Sequence, residues 1–243
     1  MTANRQSPSP PYSGWQRRLV LFLDRQIYKI SRHWLALFNF LLGAYTLLPI
    51  LAPILMANGA PQVGRWIYVL YMPACHQLPQ RSFFLFGPQI TYTLEELWAL
   101  GAITDTSILG LQKFLGSPDI GFKIAICQRD VALYGSLFLG GLLFSFVRRR
   151  LKPLSFLGYG LFLLPMAIDG GTQLFGLRES NALWRTITGV FAGIGSIWLL
   201  YPHVESAFSE IGYQANRRVE PEIEFDSPEE VRQEPHANVP GER

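Results

Sequence analysis

The sequence predicts an all-α fold: a polytopic helical membrane protein with about four transmembrane helices, an N-terminal interfacial amphipathic helix and a small helical outer lid. Three observations predict it. Only 16 % of the 243 residues are charged, against about 25 % in an ordinary soluble domain. The hydrophobic residues make up 49 %, with 17 Phe and 6 Trp among them, and they gather into blocks. Both ends and one central stretch are polar, which holds the mean hydropathy down to +0.17.

The same totals exclude other classes. A net charge of +3 is too small to hold nucleic acid, and no basic run carries the interleaved aromatics of a single-strand binder. Two cysteines, Cys75 and Cys127, are too few for a disulfide scaffold. No cleavable signal peptide is expected, because the first apolar block follows a long charged segment and exceeds a signal core in length.

In chain order, residues 1–14 are rich in Pro and Ser and are expected to be disordered. Trp15, Leu19, Phe22, Leu23, Ile27, Ile30 and Trp34 then recur at helical spacing, opposite Arg17, Arg18, Arg25, Lys29 and Arg32. A basic amphipathic helix with aromatic ends reads as lying in the membrane interface. The membrane domain, residues 15–204, carries spans at about 34–56, 124–147, 153–169 and 183–202. Pro49 and Pro53 kink the first. Arg148, Arg149 and Arg150 close the second, and Asp169 closes the third. The third and fourth blocks fall short of the roughly 20 apolar residues of an ideal crossing. Ser117-Pro118-Asp119 reads as the start of the helix that becomes the second span. Gly189 and Gly193, and Ser136 with Gly140, are spaced four apart and read as a packing seam within the bundle.

Within the 57–123 loop, Thr93-Leu-Glu-Glu96 is a capping box opening a short helix through Trp98. A second short helix follows Thr104-Asp105-Thr106. Basic residues before the first span and between the second and third place both termini in the cytoplasm of a multi-pass cell-membrane protein. The acidic tail, 205–243, is expected to be disordered there.

This orientation gathers the unusual polar residues at one membrane boundary. Cys75, His76, Gln77 and Arg81 precede the lid helices, and Cys127, Arg129 and Asp130 open the second span. Asp169 and Gln173 end the third, and Asn181 and Arg185 begin the fourth. Cys75, His76, Cys127 and Asp130 form a sulfur, nitrogen and oxygen donor set suited to zinc. A Cys75–Cys127 disulfide and a pair of inert buried thiols are equal rivals. Asp169, ending an apolar run, needs a cation, and Arg185 or Arg129 is the natural partner. Arg129, Asp169 and Arg185 are thus candidate catalytic or substrate-orienting groups. Gln77, Arg81, Gln173 and Asn181 are candidate ligand-binding groups. No nucleotide-binding or hydrolase motif appears.

The strings Cys75-His-Gln-Leu-Pro-Gln-Arg-Ser-Phe-Phe-Leu-Phe-Gly87, Cys127-Gln-Arg-Asp130, Asp169-Gly-Gly-Thr-Gln173 and Glu179-Ser-Asn-Ala-Leu-Trp-Arg185 resemble the domain-of-unknown-function 2085 family of predicted bacterial and archaeal integral membrane proteins. The resemblance covers roughly Tyr71 to Tyr201. It implies a small multi-span membrane protein and brings no established activity. Family members often carry Cys-x-Arg-Cys where this chain has Cys127-Gln-Arg129-Asp130, so Asp130 replaces a second cysteine. That weakens a redox pair and leaves a metal set intact.

The expected function is therefore a polar pocket that binds a metal, zinc by its donors, or a small polar ligand. The alternatives are an accessory subunit in which these residues tie helix ends together, and a transporter. The bilayer is the expected partner, with a packing partner or a second copy as a further one.

Overall fold

A computed structural model describes residues 14–148 and 150–225 of the chain. The expectations for residues 1–13 and 226–243 lie outside the described residues. Seven α-helices and three short strands are described: α1 (Gly14–Ala57), α2 (Pro61–Tyr71), β1 (Phe84–Leu85), α3 (Leu94–Ala99), α4 (Ile108–Lys113), β2 (Gly116–Ser117), β3 (Gly121–Lys123), α5 (Gln128–Val147), α6 (Phe156–Leu174) and α7 (Ala182–Phe225), with a 3₁₀ turn at Pro79–Arg81. The fold is that of a helical membrane protein. Three helices, α1, α5 and α7, are long and apolar enough to cross a bilayer. Helix α6 has 19 residues but falls outside that group, because Asp169-Gly-Gly-Thr-Gln173 makes its last turn polar.

Two further differences concern the long helices. The interfacial helix and the first span are one element, since α1 runs unbroken for 44 residues; the sequence from Trp15 to Leu42 offers neither Gly nor Pro to break it. At the other end, α7 continues to Phe225, so the disorder expected from residue 205 does not hold for 205–225. Its Pro202 does not stop it; the expectation of disorder weighed charge and overlooked the helix already running into the segment.

The described residues form two compact units, His33–Ala207 and the segments 14–32 and 208–225. In the flanking unit, Asp24 is buried and faces Arg218 at 3.5 Å, and Gly212 lies against Ser31. In the larger unit, α5 lies antiparallel to the second half of α1. Tyr134 packs edge-on against Tyr45, ring centroids 4.8 Å apart, and Gly141 sits against Asn39. Helix α7 packs on the opposite side of α5 through the small residues. A Cβ on Gly193 would come 1.8 Å from Ser136 Oγ, and one on Gly189 2.7 Å from the Arg129 carbonyl. The seam is thus used within the chain, as expected. Helix α6 meets α7 through Phe162, which stacks against Phe191 and Trp198. Leu139, Leu143 and Phe146 on α5, and Phe156, Leu157 and Leu161 on α6, remain exposed, as residues facing lipid do.

The expected lid is more than two helices. The capping box at Thr93 opens α3, with Glu96 N–H donating to Thr93 Oγ1 at 3.1 Å and the Glu96 carboxylate accepting from Thr93 N–H at 2.7 Å. Ser107 caps α4. Between these helices and α5 stands an antiparallel sheet in the order β1-β3-β2, with Phe84 opposite Lys123 and Gly116 opposite Phe122. The expected helix start at Ser117-Pro118-Asp119 is therefore the β2–β3 hairpin. Gly116 (φ +111°) and Gly121 (φ +85°) allow it, since a Cβ on Gly116 would come 2.1 Å from the Gly121 carbonyl. The lid has its own core of Phe84, Tyr92, Leu97, Ile103, Leu111 and Ile120. A second core, of Ala52, Ile67, Tyr68, Tyr71, Cys75, Ile124, Ala125 and Ile126, joins α1, α2 and the approach to α5.

Candidate functional site: two cysteines, an aspartate and a buried ion-pair network

Pro53 has no N–H to give the Pro49 carbonyl, which is four residues back in α1. The Ala125 N–H fills that place at 3.3 Å, so the segment leading into α5 is fixed against the kink. Two residues later Cys127 forms the N-cap position of α5. Cys75 approaches from the other side, just past α2, with its N–H bonded to the Tyr71 carbonyl at 3.0 Å. The Cys75 and Cys127 sulfurs and an Asp130 carboxylate oxygen all lie within 4.8 Å of one another.

The thiols are free and unequal. Cys75 Sγ accepts from the Cys127 N–H at 3.3 Å and the Gln77 N–H at 3.5 Å. A hydrogen bond from the Cys127 thiol is the largest influence holding Cys75 below the usual thiol pKa, against the opposing effect of burial. The same bond, followed by burial, pushes Cys127 well above it. In this pair the Cys127 thiol is the donor and Cys75 the acceptor.

His76 is not part of the cluster. Its side chain is exposed while Cys75 and Gln77 on either side are buried, because adjacent side chains diverge and Gln77 turns the backbone at φ +52°. Gln77 is wholly enclosed, with its amide donating to the Tyr68 carbonyl at 2.7 Å. Its Oε1 is buried without a hydrogen-bond partner among the described residues.

The second group of expected residues separates into two linked sets. Asp169, 2 % exposed, accepts from Arg129 at 2.5 Å, Arg178 at 2.6 Å and Ser180 Oγ at 2.9 Å. Arg129 is one of the two partners anticipated; Arg185 is not the other. Arg185 is buried and donates to the Gln80 carbonyl and Gln128 Oε1, each at 3.2 Å, and to Glu179 at 3.1 Å. Glu179 also pairs with Arg81 at 3.2 Å and accepts from Gln173 Nε2 at 2.9 Å. Asn181 caps α7, accepting from the Trp184 N–H at 2.9 Å. Between the lid and the α6–α7 turn opens a cleft of about 620 Å³, lined by Gln80, Thr93, Glu95, Gln128, Glu179 and Arg185 among others.

Sequence reasoning missed Gln128, Arg178, Glu179 and Ser180, which lie beside residues it named. It also missed Lys123. This lysine is fully buried, and its ammonium donates to the carbonyls of Gln77 at 2.5 Å, Gln112 at 3.1 Å and Leu111 at 3.4 Å. Burial lowers its pKa to about 7. A single lysine inside the apolar run Ile120–Ile126 was the available signal. Its three acceptors tie the end of α4 to the Cys75 loop, and the Tyr68 hydroxyl donates to its own carbonyl.

Residues 120–199 match the family model described as predicted membrane protein, DUF2085. That span holds Cys127, Arg129, Asp130, Asp169 and Arg185. An uncharacterised protein of Methanocaldococcus jannaschii is 30 % identical over 138 residues, covering 56 % of this chain and 67 % of its own length. An uncharacterised protein of Methanothermobacter thermautotrophicus is 36 % identical over 75 residues, covering 31 % of this chain and 68 % of its own. No solved structure matches the chain. On the strength of the family match and the relative alignable over two thirds of its length, the chain belongs to the DUF2085 family of predicted membrane proteins.

Proposed function

We propose that the protein is a four-span membrane metalloprotein in which Cys75, Cys127 and Asp130 hold a zinc ion with one coordination position open. The observation that carries this reading is the convergence of two sulfurs and a carboxylate oxygen within 4.8 Å. Ligand sulfurs around tetrahedral zinc, at about 2.3 Å from the metal, stand about 3.8 Å apart. Side-chain rotation by about 1 Å closes the difference. Two thiolates and a carboxylate suit zinc better than magnesium or calcium, which prefer all-oxygen shells. Three protein ligands leave the fourth position to water or a small polar ligand. Both cysteines bind metal as thiolates, and Cys127, held well above the usual thiol pKa, must release its proton on binding, so metal affinity rises with pH. Arg129, beside Asp130 and held by Asp169, is the cation nearest in sequence for orienting such a ligand.

The membrane arrangement belongs to the same reading. Helix α6 is apolar from Phe156 to Ile168, about 20 Å of helix, and crosses where the bilayer thins around it. Both termini are then cytoplasmic, with Arg148 and Lys152 on that side.

Elemental analysis of the purified protein, with thiol labelling of the same preparation, tests the reading. The expected result is zinc bound in proportion to chain, retained in His76→Ala and lost in Cys75→Ser and Asp130→Ala. Unchanged metal content in Cys75→Ser, or metal-free wild type with both thiols freely labelled, overturns it.

A second reading, a structural or accessory subunit, is favoured by the closed character of the ion-pair network. Arg81, Arg129, Arg178 and Arg185 each have a carboxylate partner. It predicts that Asp169 and Arg185 variants lose stability while nothing binds in the cleft.

A further inference from the structure

Helix α2 has two unlike faces. Gly64, Ile67, Tyr68 and Tyr71 are buried. Val63, Trp66, Val69 and Leu70 are 55 %, 72 %, 50 % and 64 % exposed, a proportion that water does not tolerate on one short helix without a partner. By sequence alone this segment belongs to the outer loop, 57–123.

The contacts of α2 say where it runs. Gly59, at φ +82°, reverses the chain after α1, and the Ala60 N–H closes the turn on the Leu55 carbonyl at 3.0 Å. A Cβ on Gly64 would touch Met56 and the Ala52 carbonyl, at 3.0 and 3.1 Å. At the far end, the Tyr71 hydroxyl donates to the Tyr45 carbonyl at 2.7 Å. Gly64 to Tyr71 and Ala52 to Tyr45 are equal steps in sequence, about 10 Å of helix each. Helix α2 therefore lies antiparallel against the last turns of α1, heading back along a membrane span.

The depth follows from α5. Tyr45 also packs against Tyr134, which lies about 9 Å past the start of α5 at Gln128. The end of α2 thus reaches the level of Tyr134, well inside the segment of α5 that is apolar enough to span. Its polarity is graded accordingly. Gln62 and Arg65 sit in its first turns, and Trp66–Tyr71 carries no charge. Arg65 has the length to reach back to the headgroups. The chain leaves the tip with its backbone satisfied: the N–H groups of Met72, Ala74 and Cys75 all bond to carbonyls of Val69 or Tyr71. Non-helical backbone at membrane depth requires such satisfaction. An apolar helix of 11 residues is too short to span and of the length used for re-entry.

We infer that α2 is a re-entrant helix: it dips into the bilayer beside α1, with Val63, Trp66, Val69 and Leu70 against acyl chains. Leu47, Leu51 and Ile54 on the neighbouring turns of α1 are likewise 54 %, 40 % and 36 % exposed, as residues facing acyl chains are. An uncharged apolar face that runs back along a spanning helix points to lipid as its occupant and not a second protein.

Nitroxide labels on Val63→Cys, Trp66→Cys and Leu70→Cys, each in a Cys75→Ser/Cys127→Ser background in phosphatidylcholine/phosphatidylglycerol vesicles, test this directly. Collision with oxygen is expected to exceed collision with a water-soluble nickel chelate at all three. The ratio should rise toward Leu70 and place it about 10 Å deeper than Val63. Nickel access at Leu70 equal to that of a loop residue overturns the inference. So does shielding from both reagents with dipolar broadening, which puts a second copy on this face. The unaltered chain gives an independent check. Phospholipids brominated on the acyl chain should quench the emission that Trp66→Phe removes, and failure to quench it overturns the inference regardless of the label results.

Discussion

Replacing Asp169 by Ala removes the acceptor at which two arginines and a serine converge. Its carboxylate is 3 % exposed, so the three bonds act with little competition from water. Arg178 is 46 % exposed on its side chain, and a pair of that kind contributes up to about 1 kcal/mol. Arg129 differs: its side chain is 21 % exposed, it reaches Asp169 through a terminal guanidinium nitrogen, and its Nε has no hydrogen-bond partner among the described residues. Without Asp169 it becomes a nearly buried cation with nothing opposite, and breaking such a pair from one side costs about 3–5 kcal/mol. The buried Ser180 hydroxyl loses a charge-assisted bond within the same total. The expected loss for Asp169→Ala is therefore about 3–5 kcal/mol. Arg178→Ala should lose less than about 1 kcal/mol. Asp169→Asn keeps an acceptor for Ser180 and should fall between them. Reversible unfolding in detergent micelles, followed by tryptophan fluorescence, reads all three. An Asp169→Ala protein within about 1 kcal/mol of wild type, or one equal to Arg178→Ala, would refute the argument that Arg129 is the buried partner.

Further outcomes follow from other parts of the fold. Lys123→Met should cost about 2–4 kcal/mol, because it leaves the buried Gln77 and Leu111 carbonyls and the half-buried Gln112 carbonyl without their donor; hydrogen exchange should rise first in α4 and in residues 76–82. The pH dependence has a definite sign. The folded-state pKa of Lys123, about 7, lies below the unfolded value of 10.5, so between them the unfolded chain binds a proton that the folded protein lacks. Stability then rises with pH from about 7 to about 10 and is flat below 7, and Lys123→Met should abolish the slope. Gly189→Leu should cost at least about 1–3 kcal/mol by overpacking, since its Cβ meets the Arg129 backbone and the Ala132 Cβ; a helix-propensity gain of up to about 1 kcal/mol does not offset it. Unfolding midpoints of the variant and wild type in the same detergent check this.

The helical membrane class was legible because it rests on composition and block length, which burial in lipid imposes directly. The capping box at Thr93 and the seam at Gly189 and Gly193 were legible for a similar reason, each being a local pattern with one physical cause. The β2–β3 hairpin was not, since Ser117-Pro118-Asp119 serves equally well to begin a helix and to turn between strands. Only the close approach of Gly116 to Gly121, a tertiary fact, decides it. Helix α2 was hidden by its brevity and by the assumption that a segment between spans faces water. Donor chemistry grouped Cys75, Cys127 and Asp130, whose donor atoms the fold brings within 4.8 Å of one another, but His76 was carried along by adjacency. A strand-like alternation of buried and exposed side chains around Cys75 turns it away. Arg185 stood as the alternative partner of Asp169 because Glu179, in a polar turn, gave no sign that Arg81, Gln173 and Arg185 would converge on it.

The central claim is that Cys75, Cys127 and Asp130 form one metal centre, and zinc-edge X-ray absorption on the purified wild-type protein tests it most directly. The account predicts a shell of two sulfurs near 2.3 Å with oxygen or nitrogen donors near 2.0 Å, kept in His76→Ala and lost with the metal in Cys75→Ser. A shell without sulfur, or wild-type protein that takes up no zinc from a zinc-supplemented buffer, would contradict it.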